Sequence, residues 1–222
     1  VVSIDDFYLD AAGLDLAMQG NPWGVPRALP GSHDLPLLLD RLSSWRRGEQ
    51  PNLPVFDKSL RQGRGDRSGW RPCRARILLL EGWFLGCEPL PAGEALTAGS
   101  DHLNPGLSSE EVDYRHIVQD QLRTYLPIWS SLDVIWQLQA LDFTSSRLWK
   151  QDQEATMQQQ KGVSLDVKEL DGFTRMIMAA IPMAAIMVMD GGGDDACSEI
   201  VMVLMGMLVV MMVLILWLRS FD

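Results

Sequence analysis

Cysteine is scarce in this chain. Its three copies, Cys73, Cys87 and Cys197, are odd in number and none stands in CxxC spacing. A disulfide framework and a zinc site are therefore not expected, and a reducing compartment is. Positive charge is also in deficit: Lys+Arg number 19 against Asp+Glu 29, a net charge of −10. A duplex nucleic-acid binder normally carries a basic face, so no nucleic-acid partner is expected. No basic n-region surrounds Val1 and Val2, so no signal peptide is expected at the start. No internal repeat is present. What remains is 222 residues, 47% hydrophobic, enough for one α/β domain with a core of its own, or a domain plus a tail.

The averages conceal a break near residue 175. Residues 1–175 mix polar and apolar positions as a globular body does. In 176–222 only Arg219 and five acids are charged, and 10 of the 12 methionines lie between Met176 and Met212. Ile200–Leu218 is 19 residues without a charge, interrupted only by Gly206. As a helix it would extend about 28 Å, close to the thickness of a bilayer core. Met176–Met189, with Pro182 inside it, is too short to span, and Asp190–Glu199 with its three glycines reads as the loop between the two runs. The chain thus divides into a body, 1–175, and an apolar, Met-rich, helical tail, 176–222.

In the body, Val1–Ile4 followed by Asp5 and Asp6 predicts a buried strand that delivers acids to the end of a sheet, where α/β folds bind ligands. Asn21–Pro30 is loop. Ser32 or Asp34 can cap a helix with Pro36 in its first turn and Leu38, Leu39, Leu42 and Trp45 on its apolar face. Arg76–Trp83 predicts a fully buried strand ending at Glu81. Ser108 and Glu111 have capping-box spacing for a helix over Ser109–Leu126, whose apolar face is Tyr114, Ile117, Val118, Leu122 and Tyr125. Leu132–Leu141 predicts a third strand, and Ser145–Gln160 a polar helix with little to bury. Strands alternating with helices predict an α/β fold with a mostly parallel sheet.

Several residues could carry chemistry. Asp5 and Asp6 suit a general base beside a metal partner, or equally a loop entrance or helix cap. Glu81 directly follows apolar residues and would be costly to bury alone, so it belongs at a strand end near a ligand or cation. Gly82 after it permits close backbone approach. Arg61, Arg64, Arg67, Arg71, Arg74 and Arg76 crowd one segment with Asp66 as the only acid among them, which suits an anion site or a solvated basic loop. His33 and Asp34 suit either a cap or a site. Trp23, Trp70, Trp83, Trp129 and Trp136 read as packing.

Five blocks in order, SIDDFYL (3–9), GSHDLPL (31–37), LPVFDKS with GRGDR (53–67), ILLLEGW (77–83) and LNPGLS (103–108), resemble D-glycerate 3-kinases of the plant and cyanobacterial type. The likeness continues through LDVIWQLQALDFTSSRLWKQDQE (132–154). Those enzymes group with uridine and pantothenate kinases among P-loop small-molecule kinases. The resemblance implies ATP and Mg²⁺ as cofactors, glycerate as acceptor, 3-phosphoglycerate as product, and a cytoplasmic or plastid-stromal, photorespiratory setting. It implies that Asp5 takes the proton of the acceptor hydroxyl and that Glu81 organises Mg²⁺ through water. Asp6, Tyr8, His33, Asp34, Asp57, Arg64 and Arg67 would line the acceptor pocket, with an arginine clamping the carboxylate. Arg147 and Lys150 would lie on a lid helix over the ATP phosphates.

Two departures qualify that expectation. The phosphate-binding motif GxxxxGK[ST] is absent: the four lysines, Lys58, Lys150, Lys161 and Lys168, follow no glycine. The expected fold is therefore a P-loop kinase sheet lacking its Walker A unit, which would belong upstream of Val1, and these residues alone are expected to be inactive. The tail matches nothing in those kinases. It can be a misread C-terminus, a membrane hairpin or span, or a core helix pair. Membrane association is expected only through 200–218. Two further functions stay open: a kinase for another small hydroxylated acceptor such as pantothenate or a nucleoside, and a non-catalytic, membrane-tethered binding module.

Overall fold

Ser3 ends the first strand early. Its hydroxyl accepts the Asp5 backbone N–H and caps a 3₁₀ turn over Ile4–Phe7, so β1 is only Val2–Ser3. The expected strand through Ile4 is thus shortened, because a side-chain cap competes with the ladder for the same backbone donor. In the computed structural model, residues 1–98, 100–101, 103–138, 144–181 and 201–206 are described, with 137–138, 144–150 and 201–206 described by backbone alone.

Asp10 caps α1 (Ala11–Ala17), and Asp34 caps α2 (Leu35–Arg46). The cap of α2 is therefore Asp34 and not Ser32, whose hydroxyl donates to the Leu29 carbonyl at 2.6 Å. β2 (Asn52–Asp57) and β3 (Asp66–Pro72) form an antiparallel hairpin, so much of the arginine-rich segment is strand. β4 is Leu78–Gly82. Its burial alternates, with Leu78, Leu80 and Gly82 inside and Leu79 half-buried, so it is less enclosed than a continuous apolar run implies. α3 (Ser109–Trp129) carries the capping box between Ser108 and Glu111 and runs past Pro127. Tyr114, Val118, Leu122 and Tyr125 are buried on it, whereas Ile117 is exposed.

β5 (Val134–Leu138) is shorter than the predicted strand, and 139–143 lie outside the described residues. α4 is Thr144–Lys161. α5 (Val167–Ala179) has its own capping box, from Asp166 to Glu169, and buries Phe173, Met176 and Ala179. The compositional break at residue 175 falls inside this helix.

β6 (Val201–Gly206) differs most from expectation. It lies between β4 and β5, parallel to both, in a four-stranded sheet of order β1-β4-β6-β5. The opening of the 19-residue apolar run is therefore an interior parallel strand and not the start of a helix. An uncharged Val/Met/Leu stretch satisfies either role, and only the neighbouring strands choose between them. Residues 207–222 lie outside the described residues. No helix among the described residues is long and apolar enough to cross a membrane.

Candidate active site

The parallel register sets Ser3 of β1 beside Glu81 of β4. Gly82 makes that approach possible: a Cβ there would stand 2.5 Å from the Ile4 side chain. Asp5 and Asp6, on the 3₁₀ turn leaving β1, therefore emerge next to Glu81 at the C-terminal ends of the two strands. The β2–β3 hairpin closes this acidic end. Lys58 Nζ donates to Asp5 at 2.7 Å, Arg71 to Asp6 at 3.1 Å and Arg67 to Asp34 at 3.2 Å. Arg67 also donates to the Tyr8 carbonyl at 3.0 Å, and Asp6 accepts the Phe56 N–H.

Burial opposes ionisation of Asp5, but Lys58 and the Tyr8 hydroxyl outweigh it and hold the carboxyl well below the usual carboxylate range. Burial raises Glu81, and the charge of Asp5 adds to it against the Ser3 hydroxyl and Lys58. Tyr8 is buried and its hydroxyl is pushed up by that burial and by Asp5. Its ring stacks on His33 at 4.6 Å and meets Phe56 edge-on. Burial lowers His33 to about 4, so the ring is neutral at pH 7.

Asp5, Asp6, Tyr8, His33, Asp34, Arg67 and Glu81 are thus gathered by the fold. Others named from the sequence are engaged elsewhere. Arg64 pairs with Asp15 of α1 at 3.2 Å, as does Arg61 at 2.5 Å. Both carboxylate oxygens of Asp57 accept from Lys161 of α4, each at 2.8 Å, and Oδ1 also accepts from the Ser59 N–H and hydroxyl. Lys161 and Ser59 lower it to about 2. Arg147 and Lys150 lie in the first two turns of α4, described by backbone alone. The arginine excess along the sequence is offset in space by Asp6, Asp15 and Asp34, all distant in the chain. Of the tryptophans, Trp70 and Trp136 are not core: Trp70 is half exposed, and Arg41 and Arg67 both lie over its ring.

Two residues of the site region carry little sequence signal. Lys58 has one cue, its place after Asp57 in VFDKS. Arg27 has none: it is 2% exposed, donates to the Gly63 and Arg64 carbonyls at the hairpin tip, and lies over the Phe173 ring.

Replacing Lys58 by Met tests the electrostatics. With Lys58 present, ionised Asp5 stabilises the fold above an unfolded value of about 3.9, and that contribution is lost as pH falls toward the lower folded value. Without Lys58, burial remains and the strongest attraction goes, so the carboxyl is expected to rise from its depressed position. The stability gained as pH rises between the folded and unfolded values should then shrink. Carboxyl NMR titration of Asp5 and denaturation at several pH values read both effects; an unmoved Asp5 would show that Lys58 does not set it.

No protein-family model matches the sequence. An uncharacterized kinase of Schizosaccharomyces pombe is 30% identical over 181 residues, covering 73% of this chain and 62% of the relative. The chloroplastic D-glycerate 3-kinase of Arabidopsis thaliana is 29% identical over 192 residues, 81% of this chain and 39% of that protein. Among solved structures, D-glycerate 3-kinase from Cryptococcus neoformans superposes with a TM-score of 0.66 at 26% identity, over 92% of this chain and 75% of that one. The chain is similar to D-glycerate 3-kinases. It spans less than two thirds of the length of these two curated kinases, and the α/β arrangement around its parallel sheet matches the solved kinase's fold.

Proposed function

We propose that this chain carries the acceptor side of an ATP-dependent kinase that phosphorylates glycerate to 3-phosphoglycerate. The observation that carries the proposal is the juxtaposition of Asp5 and Glu81 at adjacent parallel strand ends, closed over by Lys58 and Arg67 of the hairpin. In this reading Asp5 orients the acceptor hydroxyl and takes its proton, and Arg67 clamps the carboxylate of glycerate. Arg67 replaces Arg64 in that role because Arg67 reaches Tyr8 and Asp34, whereas Arg64 faces α1.

Glu81 fits Mg²⁺. Its carboxyl is raised by burial and by Asp5, so a hard cation would relieve an unfavourable charge, and oxygen donors suit that ion. When bound, Mg²⁺ neutralises charge on the phosphates. The β/γ-phosphates need a backbone cradle and a lysine, and GxxxxGK[ST] is absent from these 222 residues. The chain by itself is therefore proposed to bind glycerate without transferring phosphate.

Calorimetric titration with D-glycerate, and phosphoryl-transfer assays with ATP and Mg²⁺, test the two halves. Turnover by residues 1–222 alone would overturn the second; no glycerate binding would overturn the first. Arg67→Ala is expected to weaken glycerate about tenfold or more, the loss of one charge-assisted contact. Arg64→Ala should change it by less than about threefold, as exposed ion pairs contribute little. The reverse order would move the clamp to Arg64.

A further inference from the structure

Behind the acidic end lies a polar relay with no assigned role. Gly31 has φ +95°, a conformation open to glycine, and its N–H donates to the Tyr125 hydroxyl at 2.9 Å. Tyr125 is buried on α3, stacked on Trp129 and edge-on to Phe84. With a lone pair occupied by Gly31, the hydroxyl still has its one proton to give. Among the described residues the acceptor in reach is His33 Nδ1, at 2.8 Å. Ser32 Oγ, 3.4 Å from the same nitrogen, spends its proton on the Leu29 carbonyl. A neutral imidazole whose Nδ1 accepts holds its proton at Nε2.

That second nitrogen is enclosed and has no hydrogen-bond partner among the described residues, although His33 is only 5% exposed. A buried donor left unpaired is costly, so such a group points to something that completes it. The ring carrying it stacks on Tyr8 and lies near enough to Asp5 for that carboxylate's charge to act on it, which sets the unpaired N–H beside the proposed base. We propose that His33 Nε2–H donates to an oxygen of the small hydroxy-acid acceptor, and that Tyr125 is a positioning residue that fixes this tautomer. The inference rests on the acceptor reading above and adds to it the hydrogen-bonding form of His33 and the residue that sets it.

The test uses the chain as it stands, labelled with ¹⁵N-histidine, with the His33 signals assigned by loss in His33→Gln. The expected spectrum at pH 7 shows Nε2 protonated and Nδ1 bare, and Tyr125→Phe should shift the ring toward a mixture of tautomers. A wild-type ring protonated at Nδ1 overturns the inference while leaving the acceptor reading intact. D-Glycerate is then added. The His33 Nε2 signal should move on saturation. His33→Gln, which keeps an N–H near the Nε2 position, should bind within about threefold of wild type, and His33→Asn about tenfold more weakly. Glycerate binding that leaves the Nε2 signal unmoved overturns the inference alone. No binding at all overturns its ligand half together with the reading beneath it.

Discussion

Replacing Asp5 by Asn, in a form of the protein that also carries a phosphate loop, is expected to lower kcat by about 10²–10⁴-fold while leaving the glycerate KM within a few-fold. The substitution is nearly isosteric. An amide oxygen can still accept from Lys58, so the 3₁₀ turn and the hairpin contact should persist. What disappears is the ability to receive a proton. The ion pair at 2.7 Å adds a second expectation. A carboxylate held this far below the operating pH is a weak base, and its strength rises only if the acceptor hydroxyl displaces Lys58. Steady-state kinetics of Asp5→Asn and Lys58→Met, alone and together, should be non-additive. A kcat within a few-fold of wild type for Asp5→Asn would reduce Asp5 to a structural partner of Lys58.

Trp129→Ala is expected to be the most destabilising single truncation in the body, by about 3–5 kcal/mol for the lost packing. The side chain is fully buried, its ring lies against Tyr125 and Phe84, and its Nε1–H donates to the Cys87 carbonyl at 2.9 Å. Losing that donor leaves the carbonyl unpaired and costs about 1 kcal/mol more. Against a typical total of about 5–15 kcal/mol this is a large fraction. Urea denaturation followed by circular dichroism measures it, and Trp129→Phe should recover most of the packing but not the hydrogen bond. A change under about 1 kcal/mol would mean that the aromatic cluster repacks around the gap. Because Trp129 supports Tyr125, the milder Phe variant also asks whether the tautomer of His33 depends on that ring.

Elements with strong local signals are legible in the amino-acid order. The α3 capping box, the Asp34 cap with its Pro in the first turn, and the apolar run ending at Glu81 each draw on neighbours a few residues away. The β2–β3 hairpin is not legible. β3 reads DRSGWRP and is mostly exposed or half-exposed, so no apolar alternation marks it. α1 has two turns and a single buried leucine. β6 misleads as a helix because an apolar run without charges carries no period, and period is what separates helix from strand.

The same division runs through the candidate site. The acids and their places at strand ends follow from sequence, because a carboxylate after apolar residues has few tolerable locations. Which cation meets which acid was decided by tertiary structure alone. Lys58 is 53 residues from Asp5, and Arg67 is 33 from Asp34. Tyr125 stands 92 residues from the histidine it bonds. Ion pairing and hydrogen bonding act over a few ångströms, and nothing in local spacing says which distant groups the chain will bring within that range. The amino-acid order thus determined the α/β class and the acids at the strand ends; packing of the hairpin onto the 3₁₀ turn after β1, and of α3 against Gly31 and His33, decided their partners, and with them which groups stay ionised and which stay neutral.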